Sequence, residues 1–257
     1  MRRVITFVIQ FEVVAPSSVG DLPRGQNQMT MKASIISISH KAQAALDATA
    51  LDNGELRVVP GAFYQQFEQV DLSGFALRHG LYVLPTRELL DKINELILEV
   101  SPTRSAIEIG SGNGVLGRAL GIPCTDNFMQ DDPNVRALYA QMKQPVVKYG
   151  KHVERLDAQE AVDRYKPEVV VAAWVTHKFN EAEPERAGNM FGVDEIELLS
   201  KIKRYIFVGN FYVHQQKPLL ANSYMVYESD VLFSRAQKPQ GNAIVVWDNP
   251  EYQEQTK

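Results

Sequence analysis

Cysteine is nearly absent from this 257-residue sequence, which contains only Cys124. A single cysteine cannot form a disulfide within the chain, and no cysteine–histidine cluster has the spacing of a structural zinc site. Long apolar runs are also missing. None approaches the roughly 18 residues of a membrane-spanning helix, and Gln10 and Glu12 interrupt the apolar run after Arg3, so it does not match a secretory signal. We therefore expect a cytoplasmic protein without a membrane anchor or a bound metal.

An excess of basic residues is absent too. The 27 lysines and arginines are outnumbered by 31 aspartates and glutamates, which gives a formal net charge of −4. This balance gives no indication of nucleic-acid binding. With 45% hydrophobic and 23% charged residues, and without repeats or low-complexity segments, the composition is typical of a globular protein with a sizeable core.

The pattern along the chain divides it into three parts. Residues 1–31 contain a glycine-rich, polar stretch and are expected to be a loosely ordered extension. Residues 32–81 mix one short helical pattern, KAQAALDATALDN, with a strand-like piece and turns, and are interpreted as an accessory segment. The regular pattern of residues 82–257 predicts one larger domain. It begins with a helix that starts after the N-cap Thr86 and stops at Pro102.

Apolar runs then alternate with helical patterns. The candidate strands are Ala106–Ile109, Ile122–Thr125, Val153–Leu156, Val169–Trp174, Tyr205–Val208, Tyr224–Tyr227 and Ala243–Trp247. The candidate helices between them are Val115–Leu120, Val135–Met142, Gln159–Tyr165, Asp194–Ile202 and Val213–Leu220. The run VVVAAW is apolar at every position, as a central parallel strand requires. This alternation predicts an α/β fold: a doubly wound, seven-stranded, mostly parallel sheet with an antiparallel C-terminal hairpin and an N-terminal accessory segment.

The stretch AIEIGSGNG, residues 106–114, has three alternating glycines between the first strand and its helix. Gly110, Gly112 and Gly114 can adopt positive φ angles and let a ligand approach the main chain. Two ligand classes fit the pattern. GNGVLG, which begins at Gly112, is a G-x-G-x-x-G fingerprint for the pyrophosphate of a dinucleotide. Glu108, near the end of the strand, instead favours a cationic group such as an ammonium.

AIEIGSGNGVLGRAL resembles the first motif of class I S-adenosylmethionine-dependent methyltransferases, in which an acidic residue precedes G-x-G-x-G between the first strand and the first helix. Seven strands with a terminal hairpin are also typical of that family, and the resemblance covers about residues 82–248. It implies a Rossmann-like fold and S-adenosyl-L-methionine as the cofactor. In the family, the glycine turn contacts the methionine portion of the cofactor and the acid lies near its amino group. The residues implied are Glu108, Gly110, Ser111, Gly112, Asn113 and Gly114.

Two later positions receive roles from the same resemblance. An acid after the second strand binds the ribose hydroxyls in the family, which implies Asp126, or Asn127 if the short preceding helix shifts the register. A residue after the third strand lies beside the adenine, which implies Asp157 and Ala158. Each acid also has a purely structural interpretation, because Asp126 suits a turn and Asp157 suits a helix N-cap. YVLPT, residues 82–86, is similar to a segment that flanks the cofactor in some nucleic-acid methyltransferases.

The end of the fourth strand is where the resemblance places methyl transfer. Trp174, Thr176 and His177 stand there, and a histidine with an unperturbed pKa near 6.5 suits a general base. The Asp/Asn-Pro-Pro-Tyr sequence typical of nucleobase amino methyltransferases is missing, as is a Pro-Cys nucleophile pair. In the structural interpretation, His177 is a hydrogen-bonded residue and Trp174 belongs to the core.

Two loops carry further candidates. Residues 178–192 form a long polar stretch, interpreted either as a lid with Asn189, Met190 and Phe191 nearest the site or as a solvated loop. The secondary candidates after the fifth strand are Tyr212 and His214.

The sequence therefore predicts an S-adenosylmethionine-dependent methyltransferase. Nothing in it singles out a nucleobase, a protein side chain or a small metabolite as the methyl acceptor. Two alternatives stay open: a nicotinamide-dependent oxidoreductase that uses the same glycine turn, and a catalytically silent fold member that binds the cofactor, or nothing, and acts through a partner.

Overall fold

The computed structural model describes residues 4–8, 34–53 and 55–252. Strand β1 (Val4–Val8) pairs antiparallel with β2 (Ser34–Ile38). The rest of the extension expected over residues 1–31 lies outside the described residues, and the division of the chain into three parts stays a prediction.

Residues 40–53 and 55–84 contain helices and short strand pieces. In chain order they are α1 (His40–Ala50), β3 (Leu51–Asp52), β4 (Glu55–Leu56), α2 (Gly61–Tyr64), α3 (Gln69–Arg78) and β5 (Val83–Leu84). The short predicted helix is present as α1. The expectation of only strand-like pieces and turns is wrong for α3, where Leu72, Phe75 and Ala76 are buried at helical spacing. Ser73 and Gly74, which favour turns, stand between Leu72 and Phe75 and weaken the helical pattern in the sequence.

The larger region begins with α4 (Arg87–Val100), as predicted. Thr86 caps this helix, because its hydroxyl accepts a hydrogen bond from the Leu89 N–H at 3.1 Å. The elements that follow are β6 (Ala106–Ile109), α5 (Val115–Leu120), β7 (Cys124–Asp126), α6 (Pro133–Gln141), β8 (Val153–Arg155), α7 (Ala158–Tyr165), β9 (Val169–Ala173), α8 (Glu195–Ser200), β10 (Arg204–Asn210), α9 (Phe211–His214), β11 (Met225–Tyr227), β12 (Phe233–Ser234) and β13 (Asn242–Asp248).

Seven strands of the described residues form one sheet in the order β11-β13-β10-β9-β6-β7-β8. The five strands from β10 to β8 in this order are parallel, whereas β13 is antiparallel to both of its neighbours. The predicted α/β fold, with its mostly parallel sheet and antiparallel C-terminal strands, is confirmed. The observed bounds of the strands differ from the predicted ones by a few residues.

The predicted helix Val213–Leu220 is wrong as a single element. Helix α9 ends at His214, and a separate 3₁₀ turn spans Pro218–Ala221. Pro218 has no backbone N–H, and its ring clashes with the preceding turn of a helix, so a helix cannot continue through it.

Strand β9 lies at the centre of the sheet and is covered on both faces, as its apolar run predicts. Val169 and Val171 pack in the same cluster as Ile93 of α4, whereas Val170 and Ala172 pack with helices α7 and α8 on the other face. The strand order reverses between β6 and β9. From β6 the chain continues to β7 and β8 on one side of β6, and then returns to form β9 on its other side. Ligands of open α/β sheets bind outside the carboxyl ends of the strands at such a switch point.

Candidate functional site

A cleft of about 570 Å³ lies at this switch point. Strands β6, β7 and β9 each contribute the residues at or just after their carboxyl ends. Most of the residues predicted from the sequence line the cleft: Glu108, Gly110, Ser111, Gly112, Asn113, Asp126, Asn127, Asp157, Ala158, Trp174 and Thr176. Two predicted residues, Gly114 and His177, are not part of the lining.

The glycine turn has the left-handed backbone that its sequence predicts. The φ angles of Gly110, Gly112 and Gly114 are 55°, 54° and 71°, in a region that residues with a Cβ rarely adopt. A Cβ on Gly110 would lie 2.4 Å from Val175 Cγ1, and a Cβ on Gly114 would lie 2.4 Å from His152 Nε2. The missing side chains therefore make room for the protein's own residues as well as opening the main chain to the cleft.

Glu108 is buried directly behind the glycine turn. Its Oε2 accepts a hydrogen bond from the Gly117 N–H at 2.8 Å, so the carboxyl ties β6 to the first turn of α5. Burial raises the pKa of Glu108 to about 8. The carboxyl is therefore protonated near pH 7 when no cation is beside it, and a neighbouring cation would favour its charged form.

Asp126, at the end of β7, braces the same turn from the neighbouring strand. Its Oδ2 accepts from the Gly112 N–H at 2.9 Å, and its Oδ1 accepts from the Phe128 N–H at 2.7 Å. Burial raises the pKa of this carboxyl. Asp126 therefore has the turn-stabilising role that its residue type predicts. Each of its oxygens also retains a lone pair that can accept a hydrogen bond from a ligand hydroxyl.

Asn127 and Asp157 line the cleft while making structural hydrogen bonds. Asn127 donates from Nδ2 to the Phe191 carbonyl at 3.1 Å. Asp157 caps α7, because its Oδ1 accepts from the Glu160 N–H at 2.9 Å within a capping box. The N-cap interpretation of Asp157 is therefore confirmed, and its place in the lining keeps the predicted adenine contact open.

Trp174 follows β9 in a strained conformation. Its φ angle is 60°, which is an outlier for a bulky side chain and points to a functional constraint. Its indole Nε1–H is buried and has no acceptor among the described residues. The nearby Thr176 is exposed and lines the cleft. Trp174 thus offers an unused hydrogen-bond donor in the wall of the site.

His177 is not brought to the cleft. The ring is buried, and its Nε2 donates a hydrogen bond to the Arg186 carbonyl at 2.9 Å. Burial lowers the pKa of His177. The hydrogen bond to the Arg186 carbonyl ties His177 to the loop of residues 178–192. Of the two interpretations of this histidine, its environment matches the structural one, a hydrogen-bonded residue.

The loop of residues 178–192 forms one side of the cleft. Its base is closed by hydrogen bonds from the Lys178 N–H to the Val193 carbonyl at 2.9 Å and from the Asn189 N–H to the His177 carbonyl at 3.0 Å. The residues predicted to be nearest the site, Asn189, Met190 and Phe191, are in the lining. The secondary candidates Tyr212 and His214 are not.

A cluster of hydroxyl and amide groups in the lining of the cleft was not predicted. Tyr82, Gln130, Tyr139 and Tyr149 line the cleft and are linked by hydrogen bonds. Of these, only Tyr82 belonged to a stretch with a sequence signal, YVLPT. The other three lie between β7 and β8, in a segment without a recognisable motif.

The charges in the lining are unequal. The described residues contribute one basic group, Lys178, and the acidic groups are Glu108, Asp126, Asp157, Asp194 and Glu197. Because its raised pKa keeps Glu108 protonated near pH 7 when no cation is beside it, the excess of negative charge comes from the other four acids, which still favour cations over phosphate groups.

No protein-family model and no curated protein matches the chain. Among solved structures, the chain is similar to an uncharacterized protein from Listeria monocytogenes serotype 4b, with 11% sequence identity, coverage of 66% of this chain and 70% of that chain, and a TM-score of 0.32. At this TM-score the similarity carries no argument. None of the helices in the described residues combines the length and the apolar character of a membrane span.

Proposed function

We propose that the chain is an S-adenosylmethionine-dependent methyltransferase whose methyl acceptor is still to be identified. The observation that carries this proposal is a glycine turn at the switch point of the sheet, inside a cleft whose lining has five carboxyl groups and one lysine. The cofactor is cationic at its sulfonium and ammonium groups, so this excess of acids suits it.

The residues of the cleft match the parts of the cofactor in turn. Glu108 would hold the ammonium group, and the glycine turn would lie against the methionine portion. Asp126 would accept hydrogen bonds from the ribose hydroxyls through its free lone pairs. Asp157 and Ala158 would lie beside the adenine. The cofactor supplies an activated methyl group, and the protein orients the acceptor and excludes water.

A nicotinamide-dependent oxidoreductase is the second candidate, because GNGVLG also fits the dinucleotide fingerprint. Gly117 supports it, since a Cβ there would lie 2.5 Å from Cys124 Sγ, and close packing of helix on strand is the role of the third glycine in that fingerprint. Two observations weigh against it. The acidic lining would repel a pyrophosphate, and β13 is inserted antiparallel between β10 and β11, unlike the 3-2-1-4-5-6 order of the dinucleotide-binding fold.

Calorimetric titration of the purified protein with S-adenosylhomocysteine and with NADH separates the two candidates. We expect S-adenosylhomocysteine to bind and NADH not to bind. Binding of NADH alone would overturn the proposal. Transfer of a radiolabelled methyl group into a cell extract then tests for activity, and tight cofactor binding without any transfer would favour the silent fold member.

A further inference from the structure

Tyr82 lines the cleft but is not one of the proposed cofactor-binding residues. It precedes β5 and is half-buried, so one side of the residue faces the cleft while the other is packed. Its ring centre is 5.9 Å from that of Trp174. Because Trp174 stands at the end of β9, Tyr82 is beside the position where the resemblance places methyl transfer.

Two side chains converge on the Tyr82 hydroxyl. Gln130 donates to Oη from Nε2 at 3.1 Å, and the Tyr139 hydroxyl lies 3.0 Å away. The Gln130 amide is held in this orientation, because its Oε1 accepts from the Val147 N–H at 2.8 Å. Tyr82 Oη thus accepts at least one hydrogen bond from a fixed donor, which favours negative charge on that oxygen.

Arg235 places a positive charge against the same ring. Its Cζ lies 3.6 Å from the centre of the Tyr82 ring, and the backbone N–H of Arg235 donates to the backbone carbonyl of Tyr82 at 3.1 Å. The antiparallel pairing of β5 with β12 holds these two residues together. Among the described residues, no carboxylate forms an ion pair with Arg235. Its charge therefore acts on the phenol without being neutralised by an acid.

These contacts change the acidity of the phenol. Burial alone would raise the pKa of Tyr82, but the Arg235 charge and the hydrogen bonds from Tyr139 and Gln130 bring that pKa below its ordinary value. Burial and the neighbouring Tyr82 raise the pKa of Tyr139. The titratable groups that face Tyr82 are thus Arg235, Tyr139 and Tyr149, while Gln130 and Trp174 carry no charge. Tyr82 is the phenol of the pair that ionises first.

We propose that Tyr82 accepts, at Oη, the proton of the methyl acceptor. This inference rests on the proposed function, in which the cofactor supplies the methyl group. In the step that Tyr82 carries, the O–H or N–H bond of the acceptor breaks, the proton bonds to the phenolate oxygen, and the bonding electron pair stays on the acceptor atom. The acceptor must therefore carry a proton on its reacting atom, which leaves out thioethers and tertiary amines.

The ionisation of Tyr82 is measurable without an acceptor, by ultraviolet absorbance of tyrosinate as the pH is raised. Of the ten tyrosines, one should ionise before the others. Tyr82→Phe should abolish this early step while keeping the ring that packs on Arg235, and Arg235→Gln should move the step to higher pH. Tyr224→Phe changes an exposed tyrosine, so this matched control should keep the early step. Its absence from the wild type, or its survival in Tyr82→Phe, overturns the proposal.

The catalytic part of the proposal is tested by labelled methyl transfer into a cell extract, together with S-adenosylhomocysteine titration. Tyr82→Phe should lower the transfer rate by about 10²-fold or more, the scale of general base catalysis, with unchanged cofactor affinity. A wild-type rate in this variant overturns the role of Tyr82. Failure of the wild-type protein to bind the cofactor is a different result, because it overturns the proposed function. Cofactor binding without any transfer by the wild type overturns the proposed methyl transfer in favour of the silent fold member, and the inference falls with it, since no proton is then released. A wild-type rate in Tyr82→Phe overturns the inference alone.

Discussion

The two walls of the cleft are built from different chemistry. The first consists of main chain and carboxyl groups, with the glycine turn in front and Glu108 and Asp126 behind it. The second is aromatic and polar, with Tyr82 and Tyr139 linked by their hydroxyls and Trp174 beside them. Negative charge and backbone groups suit a cationic cofactor, whereas rings and hydroxyls suit an acceptor and its proton. Under the proposed function, the first wall would bind the cofactor and the second would take the proton of the acceptor, and the predictions below test the structure and the chemistry of these walls.

Gly110→Ala should have the largest effect, because it breaks the first wall at its main chain. The φ of 55° costs a residue with a Cβ about 1–2 kcal/mol, and the Cβ would lie 2.4 Å from Val175 Cγ1, which adds about 1–3 kcal/mol of overpacking. We expect the free energy of unfolding, measured by chemical denaturation, to fall by about 2–5 kcal/mol.

Gly121→Ala is the matched control for that substitution. Gly121 has a φ of 69°, but nothing lies within 4 Å of its Cβ position. Only the backbone cost of about 1–2 kcal/mol is therefore expected. Equal losses of stability in the two variants would contradict the packing of Val175 against the glycine turn.

Glu108→Gln tests the charge of the first wall while keeping its hydrogen bond. The glutamine amide oxygen can still accept from the Gly117 N–H, as Glu108 Oε2 does at 2.8 Å. We expect the binding of S-adenosylhomocysteine to weaken by about 1.5–3 kcal/mol, the scale of a hydrogen bond to a charged group, in calorimetric titration. Tyr82→Phe, in the second wall, should bind it as the wild type does. Unchanged affinity in a folded Glu108→Gln protein would reject the ammonium-binding role.

The same carboxyl should make stability depend on pH. Burial raises the pKa of Glu108 from its ordinary value of 4.5 to about 8. Between these values the folded protein keeps a proton that the unfolded chain has released, so the free energy of unfolding falls as the pH rises, by at most about 1.4 kcal/mol per pH unit from this group. Because Glu108→Gln does not titrate, the stability of the wild type relative to this variant should decline through that window and level off above it. A difference that is constant with pH would contradict the shifted pKa.

The first wall could be predicted from the sequence because it is encoded locally. An acid and three glycines fall within residues 106–114, between a strand pattern and a helix pattern. Asp126 directly follows the next predicted strand, and the parallel pairing of β6 with β7 places it against Gly112. The strand–turn–helix pattern alone was therefore sufficient to predict that these residues lie together.

The second wall could not be predicted because distant segments form it. Arg235 reaches Tyr82 only through the pairing of β5 with β12, two short strands without a clear apolar alternation. His177 shows the opposite case. Its residue type and its position after a strand suggested a base, but its hydrogen bond to the Arg186 carbonyl places it inside the loop, and no local pattern reveals that contact.

The smallest expected effect concerns a contact that crosses the cleft. Asn127 donates from Nδ2 to the Phe191 carbonyl at 3.1 Å, while its Oδ1 accepts from the Met129 N–H at 2.9 Å. Asn127→Asp keeps the acceptor and replaces the donor by a carboxylate oxygen, so the link to the loop of residues 178–192 is lost and a negative charge faces the Phe191 carbonyl. One such hydrogen bond contributes about 0.5–1.5 kcal/mol, so amide exchange in the loop, followed by mass spectrometry, should become about 2- to 10-fold faster.

The matched control is Asn113→Asp, which changes another amide of the cleft without touching the loop. Asn113 Oδ1 accepts from the Val115 N–H within the glycine turn at 3.0 Å, and an aspartate can make the same bond. This variant should leave exchange over residues 178–192 unchanged. If Asn127→Asp also leaves it unchanged, the hydrogen bonds at the base of the loop hold it without help from Asn127, and the loop is a fixed third side of the cleft rather than a lid released by one contact.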